Sequence, residues 1–462
     1  MKRIDVLPDD VLLEIFYFHT IMNRNVPPYG KKASENVWQP LVHVCRRWRN
    51  LVFGSPRRLN MRLFCTPKTP ARDTLEVWPA LPLVVAGVMT SSGTDNIIAA
   101  LEQSNRVCQV TLGLEGWHLE EVLAVMQVSF PELIDLRLTS DSETVPVIPD
   151  SFLDGSAPSC LRTFELTGIP FPGLPKILLS ATQLVYLWLY DTPHSGYISP
   201  EAMVALISVL SSLETLYLGF QSPQSCPDPE SRRPPPQKRS ILPTLESFRF
   251  KGVTEYLEDL VTFIDTPRLD DMHITFFNQI DFDCPRLAQF IQCTPTLRGL
   301  DEARVEFDDK TASVALQEWQ NEYGGNLRID ISCRESDWQL SSIEQFCNTS
   351  LCYSLSTIVD LHIGHLSWEP SWIGDATENT LWLQLFLPFT AVKNLHLDNE
   401  TMPGIAAALQ ELVGGRITEV LPSLQNIFVE ELEQSGPFQE KIGKFVAARQ
   451  LSNHPITISE WQ

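Results

Sequence analysis

The stretches LVYLWLY (residues 184–190) and LETLYLG (residues 213–219) are two copies of one pattern. In each, apolar residues stand at positions 1, 4 and 6, and other side chains fill positions 3, 5 and 7. From position 3 onward the alternation has a period of two, which is that of a strand with one buried face. The pattern recurs as VCQVTL from Val107, LIDLRL from Leu133, LRTFEL from Leu161, LESFRF from Leu245 and LDDMHI from Leu269. It continues as IVDLHI from Ile358, VKNLHL from Val392 and LQNIFV from Leu424, with looser copies from Leu300 and Asn326. Successive spacings from Val107 to Leu269 are 26, 28, 23, 29, 32 and 24 residues. A repeat of that length holds one strand and one return segment, so each unit covers its apolar face only with its neighbours.

The segments between strands carry helix signals. Ser199-Pro200-Glu201 opens EAMVALISVL with a capping hydroxyl and a proline at the first helical position. Similar periodicity marks DNIIAAL from Asp95, LEEVLAVM from Leu119, TEYLEDLVTFI from Thr254 and TLWLQLF from Thr380. The expected fold class is therefore α/β: an irregular solenoid with a parallel sheet on its concave face and helices or turns opposite. The sequence predicts a repeat region at 96–435. A hinge or cap at 66–95 (Pro-punctuated, packed through Leu75, Val77 and Trp78) precedes it. A helical cap and tail at 436–462 follows, with Phe438, Ile442, Phe445 and Val446 on its apolar face. The segment 221–240, with six prolines, lacks the donors of a ladder and reads as an insertion on the rim.

Residues 1–65 differ in kind. Asp5, Pro8, Asp9 and Asp10 start a helix in which Leu12, Ile15, Phe16 and His19 are spaced for one face. A second amphipathic stretch, WQPLVHVCRRWRNL from Trp38, places Leu41, Val44, Cys45, Trp48 and Leu51/Val52 on one face and Arg46, Arg47 and Arg49 on the other. So short a helical module buries too little to stand alone and must dock on something.

LPDDVLLEIF (residues 7–16) followed by VCRRWRNL (residues 44–51) and Ser55-Pro56 resembles an F-box, ahead of divergent leucine-rich repeats of the kind found in large fungal families. The resemblance spans nearly the whole chain. It departs at Thr20–Asn36, where compact members have a short turn, and at Leu59-Asn60, where they often have Leu-Trp. It implies a substrate-recognition subunit of a Skp–cullin–F-box ubiquitin ligase. Leu7, Pro8, Leu12, Ile15 and Phe16, with Leu41, Val44, Cys45 and Trp48, would build or brace the surface for the Skp-family adaptor, and cullin would be reached through that adaptor. The other reading is a leucine-rich-repeat scaffold or ligand sensor whose N-terminal helices only cap the repeats.

Charge is divided unevenly. Residues 1–70 hold twelve Lys/Arg and five Asp/Glu, net +7, against 23 and 52 in the remainder, net −29. A basic head suits an acidic partner, as Skp-family adaptors are, or the chain's own acidic body. The acidic body excludes nucleic acid as a main ligand. No apolar run is long enough to span a bilayer, Asp5, Asp9 and Asp10 interrupt any secretory start, and the ten Cys show no CxxC pair. Those features point to the cytoplasm or nucleus.

No nucleotide-binding, zinc-protease, serine-hydrolase or dinucleotide motif is present, so neither catalysis nor a cofactor is expected. The informative side chains are those that leave the concave face. Tyr186, Trp188, Tyr190 and Tyr217 form an aromatic group there, with Arg249 and His273 further along, and these are the candidate contacts for a protein substrate. The alternative is that the rim insertion or the tail covers the rings. His362 and His396 should be neighbours on the same face, near Asp360 and Asp398. Without cysteine partners at zinc spacing they are read as solvated residues, and no metal is expected.

Overall fold

A computed structural model describes residues 7–22, 38–56, 58–59, 61–89, 93–142, 145–171, 176–223, 239–277, 282–318, 325–334, 337–365, 376–430 and 437–460. The chain forms two compact units, 1–197 and 198–462. Most of the Thr20–Asn36 departure and most of the Pro-rich segment 221–240 lie outside the described residues.

Unit 1 begins with helices α1 (Asp9–Met22), α2 (Gln39–Val42) and α3 (Arg46–Gly54). Six strands follow: β1 (Leu63–Cys65), β2 (Leu83–Val88), β3 (Val107–Gly113), β4 (Asp135–Thr139), β5 (Thr163–Thr167) and β6 (Tyr186–Thr192). They pair in sequence order and all in parallel. The apolar-x-x-apolar-x-apolar positions are the buried ones. Leu136, Leu138, Phe164, Leu166, Leu187 and Leu189 are buried under the sheet, and helices such as Thr94–Leu101 and Gly116–Val125 bury Ile97, Leu101, Leu119 and Val122 in the same unit. Burial of branched and aromatic side chains on this scale stabilises by about 1.5–3 kcal/mol each.

Three expectations about this unit are corrected. The stretch 66–95 is not a hinge, because β1 already pairs with β2 and the helix Ala71–Val77 connects them. A three-residue strand is too short to show a period, and the flanking prolines hide it. Val77 is exposed, and Trp78 carries the packing there. The second amphipathic stretch of the head is also not one helix: Cys45 is extended (φ −160°, ψ 168°) and separates α2 from α3.

Unit 2 carries β7 (Thr215–Phe220), β8 (Ser240–Ile241), β9 (Ser247–Gly252), β10 (Ile264–Asp265), β11 (Asp271–Phe276) and β12 (Glu302–Asp308). Then come β13 (Thr311–Gln317), β14 (Asn326–Ser332), β15 (Asp360–His365), β16 (Asn394–Leu397), β17 (Asn426–Val429) and β18 (Thr457–Glu460). Its sheet runs β7-β9-β11-β14-β13-β12-β15-β16-β17-β18, and β8 and β10 form a separate parallel pair. Every pairing in the sheet is parallel except those of β13. Ser199 caps the helix Pro200–Ile207 by accepting from Ala202 N–H at 3.3 Å, as its sequence predicts.

Two features of this unit depart from a uniform parallel solenoid. The two loose copies are the outer strands of a three-stranded antiparallel meander in which β12, β13 and β14 stand in reversed order. Its middle strand, TASVALQ, lacks the repeat pattern, although EARVEFD and TASVALQ alternate around the two-residue turn Asp309-Lys310 and read as a hairpin. The C-terminal tail is a further strand, β18, parallel to β17, so the helix Pro437–Leu451 is a crossover as well as a cover.

That last helix buries Ile442, Phe445 and the whole of Arg449. The Arg449 guanidinium donates to the carbonyls of Ile417 (3.1 Å), Leu421 (3.2 Å) and Leu424 (3.3 Å) and lies 5.9 Å from the Phe445 ring centre. No carboxylate among the described residues pairs with it. Burial pulls its pKa below the usual arginine value. Arg449→Ala removes those side-chain donors from the buried carbonyls and opens a void, so it is expected to lower unfolding free energy by about 3 kcal/mol or more. Urea denaturation of the two proteins measures this, and a change within error would show that the helix is not held by that side chain.

Candidate interaction surfaces

In the head, α1 has two apolar sides. Leu12, Leu13 and Phe16 are buried, and the Phe16 ring lies 4.6 Å from Trp48. Arg47 ties the start of α1 to α3 by donating to Asp9 Oδ1 (Nε, 3.0 Å) and to the Leu7 carbonyl (2.6 Å). Arg58 pairs with Glu14 at 2.5 Å. The other side bears Val11, Ile15 and Phe18, spaced i, i+4, i+7 and 39%, 46% and 60% exposed. Val44, in the turn between α2 and α3, is exposed as well.

The proposed adaptor residues therefore divide. Leu12, Phe16 and Leu41 are buried, and Trp48 is half-buried against Phe16, so these brace the helices. Leu7 and Cys45 are half-buried, whereas Pro8, Ile15 and Val44 face solvent. Val11 and Phe18 were not singled out from the sequence, although their spacing around Ile15 is the signal for a second stripe. Ile15 itself sits with them rather than with Leu12 and Phe16. The head is anchored elsewhere: Trp38 is buried edge-to-face against Phe53 and Trp78, and its Nε1–H donates to the Arg62 carbonyl at 2.8 Å.

The open face of the unit 1 sheet carries Tyr186, Trp188 and Tyr190 at alternate positions of β6. In register beside them on β5 stand Thr163, Glu165 and Thr167. Tyr186 is exposed, and Trp188 and Tyr190 are half-buried. On β4, Arg137 makes two hydrogen bonds to Asp135 (3.0 and 3.2 Å) and a longer contact, 3.6 Å, to Glu165. Burial raises the Glu165 pKa, and Arg137 opposes that rise.

In unit 2 the residues that sequence singled out share one register row: Tyr217 pairs with Arg249 and Arg249 with His273. The row continues through Arg328, Ala315, Arg304, His362, His396 and Phe428. The meander supplied Arg328 and Arg304, which the sequence pattern could not place. These side chains meet carboxylates from neighbouring rows. Arg249 lies 3.8 Å from Asp271, His273 2.6 Å from Asp330, Arg328 2.9 Å from Asp330 and 3.7 Å from Glu306, and Arg304 2.8 Å from Glu302. The face is a self-paired lattice and not a uniformly basic one.

At its C-terminal end the row becomes a ring stack. His362 and His396 lie 4.0 Å apart at 7°, and His396 and Phe428 4.6 Å apart at 14°. An asparagine ladder runs alongside: Asn394 donates to Asp360 at 2.7 Å and Asn426 to Asn394 at 2.8 Å, and Thr457 donates to Asn426 at 2.5 Å. Burial, with the neighbouring His396 second, pushes the His362 pKa down to about 4 against the pull of Glu302. Burial likewise lowers His396 against Asp360. Imidazole lone pairs lie in the ring plane, so two parallel rings do not converge on one ion at bonding distance. No group of three or more His, Cys, Asp or Glu among the described residues could hold a metal. Among the described residues, no helix is long and apolar enough to cross a membrane.

No family model and no curated protein matches the chain. Two solved structures to which it is similar are leucine-rich-repeat proteins. One is from Leptospira interrogans, at 13% identity over 87% of this chain and 92% of that one, with a TM-score of 0.31. The other is from Legionella pneumophila, at 13% identity over 83% and 97%, with a TM-score of 0.26.

The histidine stack makes stability acid-sensitive. His362 binds its proton more weakly folded (about 4) than unfolded (6.5), so the unfolded chain holds more protons in that window. Stability attributable to His362 is full above 6.5 and is lost as pH falls, by up to about 3 kcal/mol once below 4. Melting temperature measured from pH 7 to 4.5 is expected to fall less for His362→Phe than for the wild type. Parallel curves would remove the histidine from the account.

Proposed function

We propose that this chain is a non-catalytic substrate receptor of a Skp–cullin–F-box type ubiquitin ligase. The head docks on the acidic Skp-family adaptor, and the open faces of the repeat sheets display a protein substrate. The ubiquitin chemistry then belongs to other subunits. This chain's contribution is to raise the effective concentration of substrate near the ubiquitin donor. The setting is the cytoplasm or nucleus, with neither nucleic acid nor membrane as a partner.

The observation that carries the reading is the second apolar stripe of α1. A helix that only caps a repeat array needs one apolar side, and α1 already spends Leu12, Leu13 and Phe16 on α3. Covering Val11, Ile15 and Phe18 would contribute about 3 kcal/mol, enough to centre a specific interface. The +7 charge of residues 1–70 favours an acidic partner and fast association with it. The second reading, a leucine-rich-repeat scaffold with no adaptor, draws on the Trp38–Trp78 contact, by which the head seals the first repeat as a cap would.

Co-purification with a Skp-family adaptor separates the two. The wild type should retain the adaptor, and Ile15→Asp and Phe18→Asp should each weaken it by about 30-fold or more. Both positions are solvent-facing, so melting temperature should stay within a few degrees. If the wild type brings no adaptor down, the ligase reading fails and the scaffold reading stands.

A further inference from the structure

We propose that the open face of the unit 1 sheet binds an extended basic peptide segment, whose Lys or Arg side chains lie on the Tyr186–Trp188–Tyr190 ladder beside Glu165. This rests on the reading of the repeat faces as the substrate-displaying surface and names the class of substrate.

Aromatic faces attract cations through the ring quadrupole, Trp most strongly, and Arg additionally stacks on them. Tyr186, Trp188 and Tyr190 occupy every second residue of one strand, so their rings recur at about 6.6 Å. That is also the spacing of alternate side chains on an extended peptide, which sets a periodic cation against a periodic ring. Glu165 stands in register with Trp188 on the neighbouring strand, which places a carboxylate beside the central ring. Arg137 engages Asp135 at hydrogen-bond distance through two nitrogens and reaches Glu165 only at 3.6 Å. The trio of Asp135, Arg137 and Glu165 holds two carboxylates to one guanidinium, and that net negative charge favours a further cation on the neighbouring rings. Threonines 163 and 167 flank the same strip and offer hydroxyls on either side of Glu165.

Charge complementarity selects the occupant. The repeats of this unit, residues 71–197, hold fifteen Asp/Glu and five Lys/Arg, so a basic segment is drawn to them rather than to the net-positive head, and an acidic one is repelled. A surface that worked by charge alone would bind any polycation at any point. The aromatic ladder is what localises the peptide.

The test uses the full chain and a fluorescein-labelled nonapeptide with Arg at alternate positions and Ser between, against the same peptide with Glu for Arg, read by anisotropy at physiological salt. The Arg peptide should bind and the Glu peptide should not. Trp188→Ala should weaken binding at least tenfold. Glu165→Gln should weaken it severalfold and flatten its dependence on salt. Tyr186→Ala, which removes an exposed ring, should weaken it without altering the melting temperature, so a loss of fold in Trp188→Ala would not decide the matter. Absence of binding, or binding unchanged in Tyr186→Ala and in a folded Trp188→Ala, overturns the proposal and leaves only diffuse attraction to an acidic surface. No adaptor is present in the assay, so failure here leaves head docking untouched, and failure of adaptor capture leaves this peptide site standing.

Discussion

In a repeat array the underside of a strand is covered by the return segments and strands of its own and neighbouring repeats, and this constraint governs the architecture. It shows in unit 2 as a single inward row, Leu216, Phe248, Met272, Leu327, Leu316, Ala303, Leu361, Leu395 and Ile427, every member fully buried and every adjacent pair in register. A one-residue slip anywhere would turn that row out to water, so register is strongly specified. The constraint also makes ends costly. In unit 1 the first strand is met by the head through Trp38, Phe53 and Trp78, and in unit 2 the last helix is clamped by Arg449. A buried guanidinium is an expensive clamp, and it is tolerable because backbone carbonyls of the turn accept its hydrogen bonds.

The meander of β12, β13 and β14 shows how much irregularity the constraint allows. Reversal of strand order keeps β14 parallel to β11 and β12 parallel to β15, so the inward rows continue on both sides. The middle strand runs backwards but keeps the period of two: Val314 pairs with both Val305 and Ile329. Its outward positions near the centre are small, Ser313 and Ala315, and over them Glu306 of β12 reaches Arg328 of β14 at 3.7 Å. The small residues of the middle strand thus let the two arginine-bearing strands that it separates join one electrostatic lattice.

Much of this was legible in the sequence because burial and strand period coincide. Once the apolar positions of IVDLHI and VKNLHL are aligned, His362 and His396 must be neighbours, and they are. Legibility fails where a local pattern admits two solutions. The apolar residues of DDVLLEIFYF satisfy helical spacing on two sides at once, and only packing reveals that Leu12 and Phe16 turn inward while Ile15 turns out. It fails again where an element is too short for a period, as at β1, or where pairing partners are chosen by topology, as at β13. Of the expected aromatic group, Tyr186, Trp188 and Tyr190 stand at alternate positions of β6 and Tyr217 stands on β7. The carboxylate neighbour Glu165 follows from the same alignment, since it holds position 5 of LRTFEL as Trp188 holds position 5 of LVYLWL.

The head has two internal packing tasks. Sealing a repeat requires apolar surface directed at the repeat, and Trp38, Phe53 and Trp78 supply it. Holding three short helices together requires a second apolar surface, supplied by Leu12, Phe16, Leu41 and Trp48 and by the Arg47 bonds to Asp9 and Leu7. Val11, Ile15 and Phe18 serve neither purpose. A solvent-facing stripe of that kind lowers solubility and invites non-specific association unless something covers it. Its position on the helix that is packed through its opposite side means that a partner could seat there without disturbing either the bundle or its anchor. Under the proposed function, that independent stripe is the docking side of α1.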